Sequence, residues 1–238
     1  MRAAEFAAAI VDLDGTLVDT LGDFVVALNQ SLAELDLPPV ERALVERTVG
    51  KGSEHLIRSV LAHQLALPEV AGLSNVCSAR HVDTLYDTAW QAYQQHYRAI
   101  NGAHAKVYPG VVEGLQAMRD AGWRLACLTN KPLAFAQDLL HVKGLNGYFS
   151  QVFGGDSFAR KKPDPLPLLK TCEALGVTPA RTLMVGDSSN DAQAAHAAGC
   201  AVVLVTYGYN HGEPIRQTPA RAWIDRLSDW PQALGLDT

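Results

Sequence analysis

AAAIVDLDGT, at residues 7–16, is the stretch that decides the fold class of this chain. A short apolar run that ends at a turn pair such as Asp14-Gly15 is typical of a strand buried on both faces of a parallel sheet. In extended backbone, residues i and i+2 point to the same side, so Asp12 and Asp14 share one side at the carboxyl end of this strand. Open α/β sheets bind their ligands at that end. An Asx turn, in which Asp14 only caps the residues that follow, is the alternative interpretation.

Four similar apolar runs follow, and amphipathic segments separate them. The runs are RLACLT at 124–129, QVFG at 151–154, TLMVG at 182–186 and AVVLVT at 201–206. Several of the amphipathic segments stop at a glycine, where a left-handed C-cap would end a helix: Gly122, Gly144, Gly176 and Gly199. Strands that alternate with helices predict an α/β fold whose core is a doubly wound, Rossmann-like parallel sheet.

About a hundred residues separate the first strand from the next, several times the length of an ordinary crossover connection. Their apolar residues keep a helical period and form three faces: Leu21, Phe24, Val25, Leu28, Leu32 and Leu35; Leu56, Val60 and Leu61; and Val82, Leu85, Tyr86, Ala89, Tyr93 and Tyr97. We therefore predict a helical cap domain over residues 19–105. It is inserted into an α/β catalytic core formed by residues 1–18 and 106–238.

Composition and charge narrow the class of protein. The 238 residues include 25 acidic and 20 basic side chains, a formal charge of −5, so no basic surface is expected for nucleic acid or anionic lipid. Asp12 and Asp14 interrupt the apolar N-terminus before it can serve as a signal peptide, and residues 192–212 are too polar for a transmembrane helix. The cysteines contain no CxxC pair, which disfavours a disulfide framework and a zinc site: Cys77, Cys127, Cys172 and Cys200. A cytoplasmic location is expected.

The other predicted strands are also followed by polar residues. These lie at strand ends or in loops: Thr129, Asn130, Lys162 and the string GDSSND at 186–191. Any one of them alone is usually a hydrogen-bond cap or a solvated charge. The carboxyl ends of parallel strands lie at one edge of the sheet, so these residues can meet Asp12 and Asp14 in one crevice. The combination predicts a functional site there.

The four strings DLDGT, LTN, KKPDP and GDSSND, in this order and spacing, resemble the signature motifs of the haloacid dehalogenase superfamily. The resemblance covers the chain from Ile10 to about Val205. More narrowly, VGKGSEHL in the inserted segment, TNKP, GDSSNDAQAAHAAG and the late TYGYNHGEPI are similar to bacterial phosphoglycolate phosphatases. The superfamily motifs are specific for the fold and for phosphoryl chemistry, and the late segment indicates the subfamily less securely.

The resemblance implies a role for each matching residue. Asp12 corresponds to the nucleophile that forms an aspartyl-phosphate. Asp14 corresponds to the general acid that protonates the leaving alkoxide and later deprotonates the attacking water. The Thr129 hydroxyl and the Asn130 backbone N–H would donate to the transferring phosphoryl group, and Lys162 would offset its negative oxygens.

The resemblance also implies a metal site. The Asp12 side chain, the Asp14 backbone carbonyl and Asp187 correspond to its ligands, and Asp191 would orient metal-bound water or Lys162 from behind. Charge leads to the same expectation, because a phosphate dianion beside these carboxylates is repelled by about 4 kcal/mol per contact at about 4 Å and an effective dielectric of about 20. A divalent cation with hard oxygen ligands reverses that balance, so Mg²⁺ is the expected cofactor.

Gly50, Lys51 and Gly52 are the candidate substrate-binding residues of the inserted segment. The string lacks the glycine spacing and the Lys-Ser/Thr ending of a nucleotide-binding loop, and it follows no strand. A cap hinge or a substrate loop fits better, in which the Lys51 cation and backbone N–H groups receive a carboxylate. The alternative is that Lys51 is only solvated on a flexible loop.

The expected function is a Mg²⁺-dependent phosphatase for a small phosphorylated metabolite, which the resemblance identifies as 2-phosphoglycolate. A phosphatase for another small substrate, such as N-acetylmuramic acid 6-phosphate or pyrophosphate, is the first alternative. A sugar-phosphate mutase, a phosphonate hydrolase and a dehalogenase share the scaffold, but displacement at carbon by a dehalogenase does not need the acid Asp14. A phosphonate hydrolase would bring a Schiff-base lysine from the cap, where Lys51 is the only candidate.

A non-catalytic phosphate-binding protein is the alternative from a different class. Loss of turnover would be expected to remove Asp12 or Asp14 first, and both are present. We expect neither nucleic acid nor membrane as a partner, and a monomer or a homodimer.

Overall fold

The computed structural model describes residues 5–71 and 81–236, and Cys77 lies outside them. The described residues form the strands β1 (Ala8–Val11), β2 (Val18–Asp19), β3 (Lys106–Val107), β4 (Arg124–Leu128), β5 (Gln151–Phe153), β6 (Thr182–Gly186), β7 (Ala201–Val205) and β8 (Ala222–Ile224). The helices are α1 (Leu21–Glu34), α2 (Arg42–Thr48), α3 (Ser53–Leu65), α4 (Pro68–Ala71), α5 (Val82–Ile100), α6 (Val111–Asp120), α7 (Leu133–Val142), α8 (Leu166–Leu175), α9 (Ser189–Ala198) and α10 (Trp230–Ala233). None of these described helices has the length and apolarity needed to cross a membrane.

Six strands form one parallel sheet in the order β5-β4-β1-β6-β7-β8. β1 lies inside it, with Ile10 opposite Ala126 of β4 and Met184 of β6, and all four of its residues are buried. The five strands predicted from the sequence are present, each within one residue of the predicted ends. The predicted doubly wound α/β core is therefore confirmed.

β8 was not predicted from the sequence. It has three residues, lies at the edge of the sheet and pairs only with β7. Two of its three side chains are only partly buried. A strand this short at a sheet edge leaves no extended apolar pattern in the sequence.

The predicted glycine stops end their helices as expected. φ is positive at each of them: 77° at Gly122, 68° at Gly144, 64° at Gly176 and 78° at Gly199. α8 and α9 end directly at Gly176 and Gly199, whose left-handed conformation would strain a residue with a Cβ atom.

Helices cover both faces of the sheet, and β1 contributes to two apolar clusters. Ala9 and Val11 pack in the cluster with Leu115 of α6 and Leu139 of α7. Ala8 and Ile10 belong to the other cluster, which contains residues of α8 and α9 such as Leu168 and Ala195. Alternate residues of one strand therefore face opposite layers, and this explains why its apolar run has no polar interruption.

The inserted helices bury a third cluster of their own. Its members come from the three predicted faces and include Leu28 of α1, Leu61 of α3 and Tyr93 of α5. Phe135 of α7 and Tyr209 also belong to it, so the helices between β2 and β3 pack against the α/β core. The exact division at residues 19 and 105 stays a prediction.

The chain leaves the core and returns to it at one place. β2 and β3 pair antiparallel there, with Val18 opposite Val107. One turn into α1, the buried Asp23 accepts the backbone N–H groups of Gly102 and His104, both at 2.7 Å. This carboxylate ties the outgoing helix to the returning loop.

Asp23→Ala is expected to lower the free energy of unfolding by about 3 kcal/mol, because it leaves two backbone N–H groups without their acceptor. Urea unfolding of the purified protein measures this. Asp87→Ala, at an exposed position of α5, is the matched control and should change stability by less than about 0.5 kcal/mol. Equal stability of the two variants would contradict the structural role of Asp23.

Candidate active site

A crevice opens at the carboxyl ends of β1, β4 and β6. From the side of the inserted helices it is lined by Phe24 of α1, by Val49, Gly50 and Gly52 between α2 and α3, and by Ser53 and Leu56 of α3. Most residues predicted from the sequence line it together: Asp12, Asp14, Thr129, Asn130, Lys162, Asp187, Gly50 and Gly52. Lys51 is exposed and is not among the lining residues, so its predicted role in substrate binding stays a prediction.

Lys162 lies buried between two carboxylates. Its Nζ is 2.9 Å from Asp12 Oδ1 and 2.7 Å from Asp191 Oδ1, and it also donates to the Leu128 carbonyl at 2.9 Å. Burial acts to lower the pKa of Lys162, but Asp12 and Asp191 outweigh it and hold that pKa above its ordinary value. Lys162 therefore stays cationic inside the protein.

Burial opposes ionisation of the Asp12 carboxyl group. Burial raises its pKa from 3.8 to about 7, and Asp191 and Asp14 act in the same direction against the attraction of Lys162. Its Oδ1 has the Lys162 ammonium at 2.9 Å and no other donor among the described residues. Lys162 is therefore the cation that offsets the buried charge of Asp12.

The loop after β6 and the first turn of α9 fix Asp187 and Asp191. Ser188 and Asp191 form a capping box, in which Asp191 Oδ2 accepts the Ser188 N–H at 3.2 Å and the Ser188 hydroxyl at 2.9 Å. With Lys162 on Oδ1, both oxygens of Asp191 are occupied. Asp187 Oδ2 accepts the Tyr209 N–H at 2.8 Å, whereas its Oδ1 has only a 3.4 Å contact with the Thr16 hydroxyl.

Two glycines, Gly15 after β1 and Gly208 after β7, leave room for the Asp187 side chain. A Cβ atom at Gly15, where φ is +85°, would lie 2.2 Å from Asp187 Oδ2. A Cβ atom at Gly208 would lie 2.1 Å from Asp187 Cβ. Any larger residue at either position would displace Asp187, so the Asp-Gly pair after β1 serves close packing as well as a turn.

The aspartates fit a hard divalent cation. Oxygens of Asp12, Asp187 and Asp191 lie within 4.8 Å of one another in a buried cluster. Burial, Asp191 and Asp12 raise the pKa of Asp187 well above its ordinary value, which indicates negative charge that the protein does not fully offset. The lightly used Asp187 Oδ1, beside Asp12 in this cluster, is suited to hold the cation. Asp191, with both oxygens engaged, is suited to support it from behind.

Lys131 is a site residue that the sequence analysis missed. Its Nζ donates to Asp14 Oδ1 at 2.9 Å, and its side chain is 2% exposed. The ammonium also lies 4.5 Å from the ring centre of Phe24 and 4.7 Å from that of Tyr97. The signals were its place directly after Asn130 and its presence in the TNKP string, but a lysine that follows a strand end is usually solvated.

Asn130 connects the core to the inserted loop through its side chain. Its amide accepts the Lys162 N–H at 3.0 Å and donates to the carbonyls of Lys162 and Gly50, both at 2.9 Å. The Asn190 amide donates to the same Gly50 carbonyl at 3.2 Å. A Cβ atom at Gly50 would lie 3.1 Å from the His211 ring, so the loop packs closely on the core. From the sequence, a role in the site was predicted only for the backbone N–H of Asn130.

The late TYGYN segment contacts the loop after β1 and the start of α1. The Tyr207 hydroxyl donates to the Thr16 carbonyl at 2.8 Å. The Tyr209 hydroxyl accepts the N–H groups of Thr20 and Leu21, at 2.8 and 3.1 Å, at the start of α1. Side-chain caps of this kind satisfy N–H groups that a helix start leaves unpaired.

A sheet edge that gathers four aspartates around two buried lysines is typical of an enzyme rather than of a structural or nucleic-acid-binding protein. The chain belongs to the haloacid dehalogenase-like hydrolases, because the model of that family matches residues 6–199.

Several proteins similar to this chain are named phosphatases. The phosphoglycolate phosphatase of Thiobacillus denitrificans is 40% identical over 223 residues, which cover 93% of this chain and 92% of that protein. The phosphoglycolate phosphatase of Vibrio vulnificus YJ016 is 40% identical over 229 residues, 96% of both chains. A crystal structure described as a predicted phosphoglycolate phosphatase from Haemophilus somnus matches with a TM-score of 0.88 and 32% identity, over 97% of this chain and 99% of that one. The chain is therefore an enzyme, a phosphatase of this family.

Asp12→Asn is expected to stabilise the metal-free protein at pH 8. The pKa of Asp12 is raised from 3.8 to about 7 on folding, so its contribution to stability is full below about pH 4 and is lost as the pH rises through about 7. The amide removes that loss, and we expect a gain of about 1–3 kcal/mol in the free energy of unfolding at pH 8. Urea unfolding with a chelator present measures it.

The gain should shrink toward zero as the pH falls to about 4, where Asp12 is protonated in the folded state and half-protonated in the unfolded chain. Asp138→Asn, at an exposed position of α7, should show no such dependence. A loss of stability for Asp12→Asn at pH 8 would contradict the electrostatic account of the cluster.

Proposed function

We propose that this phosphatase is a Mg²⁺-dependent phosphomonoester hydrolase that converts 2-phosphoglycolate to glycolate and phosphate through an aspartyl-phosphate. The observation that carries the proposal is the buried Asp12–Lys162–Asp191 arrangement beside Asp187 and Asp14. The substrate is supported by relatives named phosphoglycolate phosphatase that match more than nine-tenths of this chain.

In the first step, an Asp12 carboxylate oxygen attacks phosphorus while the bond from phosphorus to the leaving oxygen breaks. Asp14 gives a proton to that oxygen, so glycolate leaves as an alcohol. In the second step, Asp14 takes a proton from water, which attacks phosphorus and releases Asp12 and phosphate. Asp14 lies two residues from Asp12 and lines the same crevice, so one group can serve both steps.

The residues after β4 and before α8 serve the phosphoryl oxygens. Thr129 is buried at the end of β4 and lines the crevice, where its hydroxyl can donate to a phosphoryl oxygen. The Asn130 side chain is used to fix Lys162 and Gly50, which leaves its backbone N–H for the phosphoryl group. Lys162 keeps Asp12 close to a positive charge and supplies part of the charge that the phosphoryl oxygens require.

Asp12, Asp187 and the Asp14 carbonyl are proposed to hold the cation, and Asp191 supports Lys162 behind them. When bound, Mg²⁺ offsets the repulsion between the phosphate dianion and the aspartates and orients the phosphoryl group. The lightly bonded Asp187 Oδ1 and its closeness to Asp12 in the buried cluster support this assignment.

The inserted helices act in this proposal as a cap that excludes water. The Gly50 carbonyl is bound by Asn130 and Asn190, so the loop 49–53 lies over the strand ends. The backbone of Gly50 and Gly52 faces the crevice and is proposed to contact the organic end of the ester. A covered site favours transfer to Asp12 before water can compete.

The experiment is a panel of phosphate esters ranked by kcat/KM, with Mg²⁺ and with a chelator. The panel contains 2-phosphoglycolate, N-acetylmuramic acid 6-phosphate, pyrophosphate and p-nitrophenyl phosphate. We expect 2-phosphoglycolate to rank first, turnover to be lost with the chelator, and Asp12→Asn to be inactive although folded, because an amide cannot form the acyl-phosphate. Another first-ranked ester would contradict the substrate, and binding of phosphate without any turnover would identify a phosphate-binding protein instead.

Asp14→Asn is expected to slow esters with a basic leaving oxygen most. For 2-phosphoglycolate we expect the first step to fall by about 10²–10⁴-fold, because the alkoxide leaves without a proton. For p-nitrophenyl phosphate the burst of p-nitrophenolate, which reports the same step, should fall far less, since that leaving group needs no proton. Rapid-quench and stopped-flow measurements supply the two rates. Equal losses for the two esters would assign Asp14 a structural role only.

A further inference from the structure

The buried ammonium of Lys131 donates fewer hydrogen bonds than it has N–H donors. An ammonium can donate three hydrogen bonds, and Asp14 Oδ1 accepts one from Lys131 at 2.9 Å. On the cap side it faces the rings of Phe24 and Tyr97, at 4.5 and 4.7 Å from their centres, which stabilise its charge without accepting ordinary hydrogen bonds. Lys131 is among the residues that line the crevice, so its ammonium belongs to the site that an incoming anion enters.

Lys162, the other lysine of the crevice, has no unused N–H donor on its ammonium. Lys162 directs its ammonium to the Leu128 carbonyl, to Asp191 and to Asp12, at 2.7–2.9 Å. Among the lining residues of the described chain, Lys131 is therefore the cation that can take a second negative partner.

We propose that Lys131 determines specificity by binding a carboxylate on the organic end of the phosphate ester. The inference rests on the proposed function and names the residue that recognises the class of substrate. In 2-phosphoglycolate a single methylene separates the leaving oxygen from the carboxylate. A carboxylate on Lys131 therefore stands next to Asp14, and the leaving oxygen comes within reach of the acid that protonates it.

The surroundings of Lys131 strengthen such a contact. Its side chain is 2% exposed, and two aromatic rings exclude water from one side of the ammonium. A charge-assisted hydrogen bond is stronger in a water-poor site than at the surface. Lys51, the cation considered from the sequence, is exposed, where solvent and salt screen its charge.

The experiment compares 2-phosphoglycolate with 2-hydroxyethyl phosphate. This ester has the same length, but its organic end carries a hydroxyl in place of the charged carboxylate. The selectivity is the ratio of their kcat/KM values, measured for the wild type, Lys131→Met, Lys131→Arg and Lys51→Ala. Lys170→Met, on the exposed face of α8, is the control. We expect Lys131→Met to lower the ratio about 10- to 100-fold, as loss of one charge-assisted hydrogen bond predicts, and Lys131→Arg to retain most of it.

A second measurement does not need turnover. Calorimetry with Mg²⁺ present compares 3-phosphonopropionate, in which a methylene replaces the leaving oxygen, with 3-hydroxypropylphosphonate. Lys131→Met should weaken binding of the first ligand about 10- to 100-fold and leave the second within about 3-fold. If Lys131→Met does not fold, Lys131→Gln, which keeps a donor for Asp14 but no charge, replaces it in both measurements.

The outcomes separate the two proposals. A wild-type enzyme that does not prefer the carboxylated ester contradicts the proposed substrate. A wild-type preference that persists in the Lys131 variants, or that disappears in Lys51→Ala alone, overturns the assignment of Lys131. Equal losses for both esters also overturn it, because a residue that only positions Asp14 would slow both alike.

Discussion

The ion pairs of Lys162 are the interaction on which the rest of the site depends. Asp12 and Asp191 are both buried beside it, and Asp187 adds a third carboxylate to the same cluster. Two such charges about 4 Å apart repel by about 4 kcal/mol at an effective dielectric of about 20, so the cluster could not be assembled without a compensating cation. Burial, together with Asp191 and Asp14, raises the pKa of Asp12 to about 7 against the attraction of Lys162. A buried acidic cluster of this kind is suited to a divalent cation, which would offset the charge of a phosphate dianion.

The fold supplies the close approach that these charges require. Parallel strands β1, β4 and β6 end side by side, and each is followed by a polar loop that carries site residues. Backbone approaches at Gly15 and Gly208 leave room for Asp187, where a Cβ atom would overlap it. The capping box of α9 sets Asp191 through the same hydrogen bonds that start the helix. Local folding preferences and site geometry are therefore met by the same residues, which is typical of a sequence that specifies one structure.

The sequence was sufficient where chemistry follows from local pattern, and insufficient where it depends on distant packing. Apolar runs predicted five of the six strands of the main sheet, and strand-end positions predicted that Asp12, Thr129 and Asp187 line one crevice. Lys131 was missed because its burial is created by Phe24 and Tyr97, which belong to other elements of the chain. Lys51, which lies between two glycines, is exposed, and its predicted role in substrate binding stays a prediction. Periodicity identifies which face of an element is buried, but it does not tell which charge that face covers.

The contacts between cap and core explain how recognition and chemistry can be coupled. Asn130 holds the backbone of Lys162 and the Gly50 carbonyl with one amide, so displacement of the cap loop disturbs the lysine that pairs with Asp12. Lys131 makes the corresponding connection on the other side, since it donates to Asp14 and packs on two aromatic rings of the inserted helices. In the proposed mechanism, binding energy from the organic end of a substrate would help to fix the groups that act on its phosphoryl end. The inserted helices would then set specificity, and the aspartates and Lys162 would keep the same chemistry.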